Sequence, residues 1–88
     1  MTEKILVQNK FGIHLRAAAQ LARLASSFSV PILVKCGGRA VNAKSLLGIL
    51  ELAVPQGAEL EIEVQGENAP QAISALRRLV EFRFGEPE

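Results

Sequence analysis

The chain of 88 residues has no tryptophan and no tyrosine, and its four aromatic residues are all phenylalanine. Platforms for stacking bases are therefore scarce. Ten Lys plus Arg against nine Asp plus Glu leave a net charge of +1, too balanced to point to nucleic acid or an anionic membrane as partner. There is one cysteine, Cys36, which closes no internal disulfide and has no second thiol with which to build a metal site. It reads as a small core hydrophobe and fits a reducing, cytoplasmic setting. No run approaches the roughly 20 apolar residues of a membrane span, and Met1-Thr2-Glu3-Lys4-Ile5 lacks the long apolar segment of a secretory leader. Internal repeats, linkers and low-complexity stretches are missing too. The expectation is one cytoplasmic domain over residues 1–88, monomeric by default, with no cofactor and no metal.

Hydrophobic residues at 49% and charged residues at 22% place the chain among globular proteins. A domain this small buries only about 60–65% of the surface its unfolded chain exposes. A single core with a shallow surface site follows, which suits a carrier or adaptor better than an enzyme with a deep cleft.

Lys4-Ile5-Leu6-Val7-Gln8 reads as a strand with Ile5 and Val7 on the core face, and Asn9-Lys10-Phe11-Gly12 as the loop after it. From Leu15 to Phe28 the apolar positions Ala18, Leu21, Ala22, Ala25 and Phe28 form one helical stripe. Ile32 to Cys36 and Arg39 to Asn42 read as strands joined by Gly37-Gly38, the positive-φ pair of a two-residue hairpin. Ser45 is placed to cap a short helix ending before Pro55-Gln56-Gly57. Glu59-Leu60-Glu61-Ile62-Glu63-Val64-Gln65 alternates without exception, so one sheet face is wet and the sheet is antiparallel. Asn68, Pro70 and Gln71 mark the start of a last helix with Ile73, Leu76, Leu79 and Val80 as its buried stripe. Gly85 reads as its stop and Glu86-Pro87-Glu88 as a frayed tail. The order β-α-β-β-α-β-α predicts an α+β open-faced sandwich, a four-stranded antiparallel sheet with three helices on one face.

The only histidine, His14, falls between a loop glycine and a helix start, in Gly12-Ile13-His14-Leu15-Arg16. Imidazole is the side chain that offers a neutral nucleophile near pH 7. A helix start adds unpaired N–H groups and partial positive charge, and Arg16 adds a charge-assisted donor. Gly12 permits close backbone approach. Together they suit a histidine that carries or binds phosphate, although the same position also suits a plain helix cap. Leu46, Leu47 and Leu50 cannot all face the core of so short a helix, and an exposed apolar residue there marks a partner surface.

Two stretches together resemble one family. Gly12-Ile13-His14-Leu15-Arg16-Ala17-Ala18 resembles the active-site signature of the HPr phosphocarriers of the bacterial phosphoenolpyruvate-dependent sugar phosphotransferase system, and Ala43-Lys44-Ser45-Leu46-Leu47-Gly48-Ile49-Leu50 resembles their regulatory serine segment. The resemblance implies that His14 accepts phosphate through Nδ1 from phospho-Enzyme I and passes it to IIA sugar-permease components, with Arg16 steadying the phosphate. It implies backbone support from Gly12, Leu15 and Ala17, and phosphorylation of Ser45 by an HPr kinase/phosphorylase. It places partner contacts at Ala19, Arg23, Leu46, Leu47 and Leu50. The family usually has proline after the arginine, where this chain has Ala17, and a small residue where it has Leu15. Two other readings stay open: a regulatory paralogue that does not drive sugar transport, and an α+β interaction module in which His14 only caps a helix.

Overall fold

The computed structural model describes residues 1–88. The elements are β1 (Thr2–Leu6), α1 (Leu15–Ser26), β2 (Ile32–Cys36), β3 (Arg39–Asn42), α2 (Leu46–Leu52), β4 (Glu59–Val64) and α3 (Ala69–Glu81), followed by a short turn over Arg83–Gly85. The strands form one antiparallel sheet in the order β1-β4-β2-β3, so the expected order of elements and the open-faced α+β sandwich are both present. Leu60, Ile62 and Val64 of β4 point into the core with Ile32 and Val34 of β2 and Ile5 of β1. Against them pack Ala17, Ala18, Leu21, Ala22 and Ala25 of α1, Ile49 and Leu52 of α2, and Ala69, Ala72, Ile73, Leu76 and Val80 of α3.

Differences from the sequence expectation have local causes. β1 starts two residues earlier, because its ladder with β4 pairs Thr2 with Glu63 and ends at Leu6 with Glu59. Val7 is still buried, held to the turn beyond by its N–H to the Ala58 carbonyl at 2.9 Å. Asn68 precedes α3 without a side-chain capping bond; at φ −93° and ψ 19° it lacks the extended backbone that aims a capping side chain at the helix. Leu79 is half-buried and Ala69 and Ala72 take up the core contact instead. The glutamate row is no plain solvated face: Lys35 bridges Glu63 at 2.8 Å and Glu61 at 3.6 Å. Its hydrogen bond and charge draw the Glu63 carboxyl below the usual glutamate range.

The largest correction concerns Glu86-Pro87-Glu88, expected to fray. α3 ends at Glu81, Arg83 and Phe84 adopt left-handed backbone with φ 57° and 55°, and Gly85 continues it at φ 79°. Two non-glycine residues in that region cost about 1–2 kcal/mol each. The turn survives because Phe84 is buried at 1% exposure and because the segment after it is tied down. The Lys10 N–H donates to the Glu88 carbonyl at 2.8 Å, and the Glu86 side chain reaches Asn9 and His14.

Candidate functional site

Gly12 sets the approach to the histidine. Its φ is 63°, and a Cβ there would lie 2.3 Å from the Val54 carbonyl oxygen. Only glycine fits. The close approach lets the Ile13 N–H donate to that same carbonyl at 2.9 Å, which fixes the loop over the end of α2. His14 is then the N-cap of α1, in extended backbone at φ −77° and ψ −176°. Its Nδ1 accepts the Arg16 N–H at 3.2 Å and its carbonyl accepts the Ala18 N–H at 2.8 Å. α1 thus forms with Ala17, fully buried, in its first turn.

The other ring nitrogen, Nε2, hydrogen bonds a Glu86 carboxylate oxygen, Oε2. The second oxygen of that carboxylate accepts from the Asn9 side-chain amide at 3.0 Å, and the same amide nitrogen donates to the Gly12 carbonyl at 2.7 Å. Burial of the Glu86 carboxyl opposes its ionisation. The hydrogen bonds from Asn9 and His14 and the charges of His14 and Arg16 outweigh that cost and hold its pKa below the usual glutamate value. The imidazole keeps 33% side-chain exposure while the Glu86 side chain keeps 11%, so solvent reaches the ring on the side away from the carboxylate.

Arg16 is exposed, and its guanidinium makes no hydrogen bond or ion pair within the chain. It lines a shallow depression with Phe11, His14, Glu86, Pro87 and Glu88. An unengaged guanidinium, a helix start and a half-exposed imidazole share one depression. That combination suits a small anion attached to or resting against the ring.

Phe11 and Leu15, on either side of His14 in sequence, are exposed at 71% and 61%, and Leu47 of α2 at 70%. Leu46 and Leu50 are half-buried against the core, so the expectation that α2 leaves at least one leucine free is met by Leu47. On α1, Ala19 is half-buried and Arg23 exposed; Leu15, Ala19 and Arg23 fall at four-residue spacing along one helix face. Ser45 caps α2, its Oγ accepting the Gly48 N–H at 3.0 Å. A Cβ on Gly48 would sit 3.1 Å from that Oγ, so the glycine that weakens the helix by propensity makes room for its cap. α1 and α2 pack on one another.

Sequence reasoning brought out His14, Arg16, Gly12 and Ser45 but missed Asn9 and Glu86. Asn9 lay in a loop stretch and Glu86 in an apparent tail. One signal was available: Phe84, a large apolar residue just before Gly85, needs burial and so ties down the chain around it.

Residues 1–81 match the family model described as the PTS HPr component phosphorylation site. The phosphocarrier protein HPr of Xylella fastidiosa (strain 9a5c) is 38% identical over 86 residues, covering 98% of this chain and 97% of its own. The phosphocarrier protein NPr of Shewanella violacea is 35% identical over 86 residues, covering 98% and 94%. Among solved structures, HPr-C-His from Thermoanaerobacter tengcongensis superposes with a TM-score of 0.95 at 40% identity, over 100% of this chain and 99% of that one. Matched in sequence along nearly its whole length and in fold throughout, the chain belongs to the HPr family of phosphocarrier proteins.

Proposed function

We propose that this protein is a phosphoryl carrier with His14 Nδ1 as the acceptor atom. The observation that carries the reading is the ring's setting: Nδ1 accepts the Arg16 N–H, so it bears the lone pair, and it faces a helix start beside an unengaged guanidinium. In the transfer the Nδ1–phosphorus bond forms as the donor's bond to phosphorus breaks. No proton moves at Nδ1, and Nε2 keeps its hydrogen. The incoming phosphoryl oxygens meet the Arg16 side chain and N–H groups of the first turn of α1, with Gly12, Leu15 and Ala17 supplying the backbone around them. The reverse sequence hands the group on.

By family membership the donor is phospho-Enzyme I and the recipients are IIA components. Donor and recipient supply the catalytic machinery, so the chain is a carrier and not an enzyme, and residues 1–88 act as one unit. Phe11, Leu15 and Leu47, with Ala19, Arg23, Leu46 and Leu50 around them, offer a partly apolar surface near the ring. One convex face of this kind can meet two active sites in turn, in weak and brief contacts. A phosphate on Ser45 would add negative charge at the start of α2 beside that surface and slow the relay.

One second reading is a relay whose phosphorylation state is read by regulators and does not drive sugar uptake; the chain resembles a phosphocarrier named NPr as well as those named HPr. Incubation with Enzyme I and phosphoenolpyruvate tests the carrier role common to both. An acid-labile phosphoryl adduct that His14→Ala abolishes is the expected result, and an unlabelled wild-type protein contradicts it.

A further inference from the structure

We infer that Glu86, held by the buried amide of Asn9, is a positioning residue for phosphoryl acceptance: it keeps the His14 proton on Nε2 and the nucleophilic lone pair on Nδ1. The inference rests on the carrier reading above, and it concerns a residue beyond the 1–81 segment that the family model matches.

The directions of the bonds in the network are set at its two ends by groups that have no choice. The Gly12 carbonyl can only accept, so the Asn9 atom 2.7 Å from it is the amide nitrogen. The same nitrogen gives its other hydrogen to Glu86 Oε1 at 3.0 Å. Glu86 Oε2 then meets His14 Nε2, and an ionised carboxylate can only accept, so the hydrogen between them comes from the ring. From the other side the Arg16 backbone N–H can only donate, so Nδ1 accepts. Both ends assign the same tautomer, with the ring's accepting lone pair on Nδ1, the atom that the transfer uses.

A carboxylate is the group this place demands. Two donors, Asn9 and His14, converge on residue 86, and an amide offers one accepting oxygen. Asn9 cannot turn its own oxygen toward residue 86 without giving up the Gly12 carbonyl. Asn9 is fully buried, and its Oδ1 has no partner, so the amide is oriented by these two donations alone. Glu86 is delivered by the left-handed turn at Arg83, Phe84 and Gly85 and anchored by buried Phe84 and by the Lys10 bond to Glu88.

The chemistry gains in two ways. When the Nδ1–phosphorus bond forms with Nε2–H in place, the ring becomes cationic, and the Glu86 carboxylate balances that charge. When the phosphoryl group leaves, the ring departs as the neutral Nε2–H tautomer, ready for the next cycle without a proton shift.

The test compares wild type with Glu86→Gln, Glu86→Ala and Glu86→Asp by proton NMR of the ring and by steady-state phosphorylation with Enzyme I and phosphoenolpyruvate, after circular dichroism shows each variant folded. Expected is a slowly exchanging, far-downfield Nε2–H resonance in wild type that Glu86→Ala abolishes. With it, kcat falls roughly ten- to a hundredfold in Glu86→Gln and Glu86→Ala, the range for losing one hydrogen bond to a charged group. KM for Enzyme I stays unchanged, and Glu86→Asp recovers part of the rate. Wild-type kcat in Glu86→Gln and Glu86→Ala overturns the inference, as does an Nε2–H resonance indifferent to residue 86. If wild type accepts no phosphate while its Nε2–H resonance still depends on Glu86, the carrier reading fails and the tautomer assignment stands.

Discussion

The side-chain amide of Asn9 donates to the Gly12 carbonyl at 2.7 Å, inside a loop where Asn9 has no exposure to solvent. Two residues past Gly12 the chain reaches His14, so the loop that presents the histidine is braced from within. Asn9→Ala removes this bond and the one to Glu86 together, and leaves a buried carbonyl without a donor. A loss of about 1–3 kcal/mol is expected in urea unfolding, with a lower rate of phosphoryl acceptance. Unchanged stability would mean that the loop is held by the Ile13 bond to Val54 and not by Asn9.

Gly12 admits no side chain. Gly12→Ala forces a Cβ against the Val54 carbonyl at 2.3 Å and strains a left-handed φ, so the loop must move or the chain must lose stability. At least about 1–2 kcal/mol is expected from the backbone conformation alone. Thermal unfolding should show a Tm lower by roughly 4–8 °C for each kcal/mol in a domain of this size.

Glu86 makes stability depend on acid. Its folded pKa lies below the value of about 4.5 that the free side chain has, so the contribution is fully present above that unfolded value. It is lost as pH falls through the lower folded one. Urea midpoints measured from neutral pH down into this window should fall more steeply for wild type than for Glu86→Gln. Glu63, drawn down in the same direction by Lys35, contributes equally to both proteins and cancels in the comparison. Parallel curves would show that the Glu86 contacts do not persist in solution.

Several of these features are readable in the sequence. The unbroken alternation of β4 assigns its two faces, Gly37-Gly38 fixes a hairpin, and Ser45 announces a capped helix; each is a local rule that the tertiary structure had no cause to override. Asn68 shows the limit of such rules, since a capping residue type is in place and the backbone does not aim it. Glu86 shows a different limit. Its role depends on a contact with His14, 72 residues away, and on a left-handed turn through Arg83 and Phe84, which neither residue type announces. The loop glycine and helix start around His14 mark the histidine in the sequence and carry no sign of the group behind it.

Ser45 separates a capping role from a regulatory one. Ser45→Ala removes the acceptor for the Gly48 N–H and should cost about 1 kcal/mol. Ser45→Asp keeps an acceptor and adds charge, so its stability should lie within about 0.5 kcal/mol of wild type while phosphoryl transfer from Enzyme I slows. A Ser45→Asp protein that accepts phosphate at the wild-type rate would contradict the proposed regulatory site.

The most direct measurement is nitrogen-15 and phosphorus-31 NMR of the protein after incubation with Enzyme I and phosphoenolpyruvate. A single phosphoryl group on Nδ1 of His14 is expected, with Nε2 still carrying its hydrogen toward Glu86. A phosphoryl group on Nε2, on another residue, or on none would contradict it.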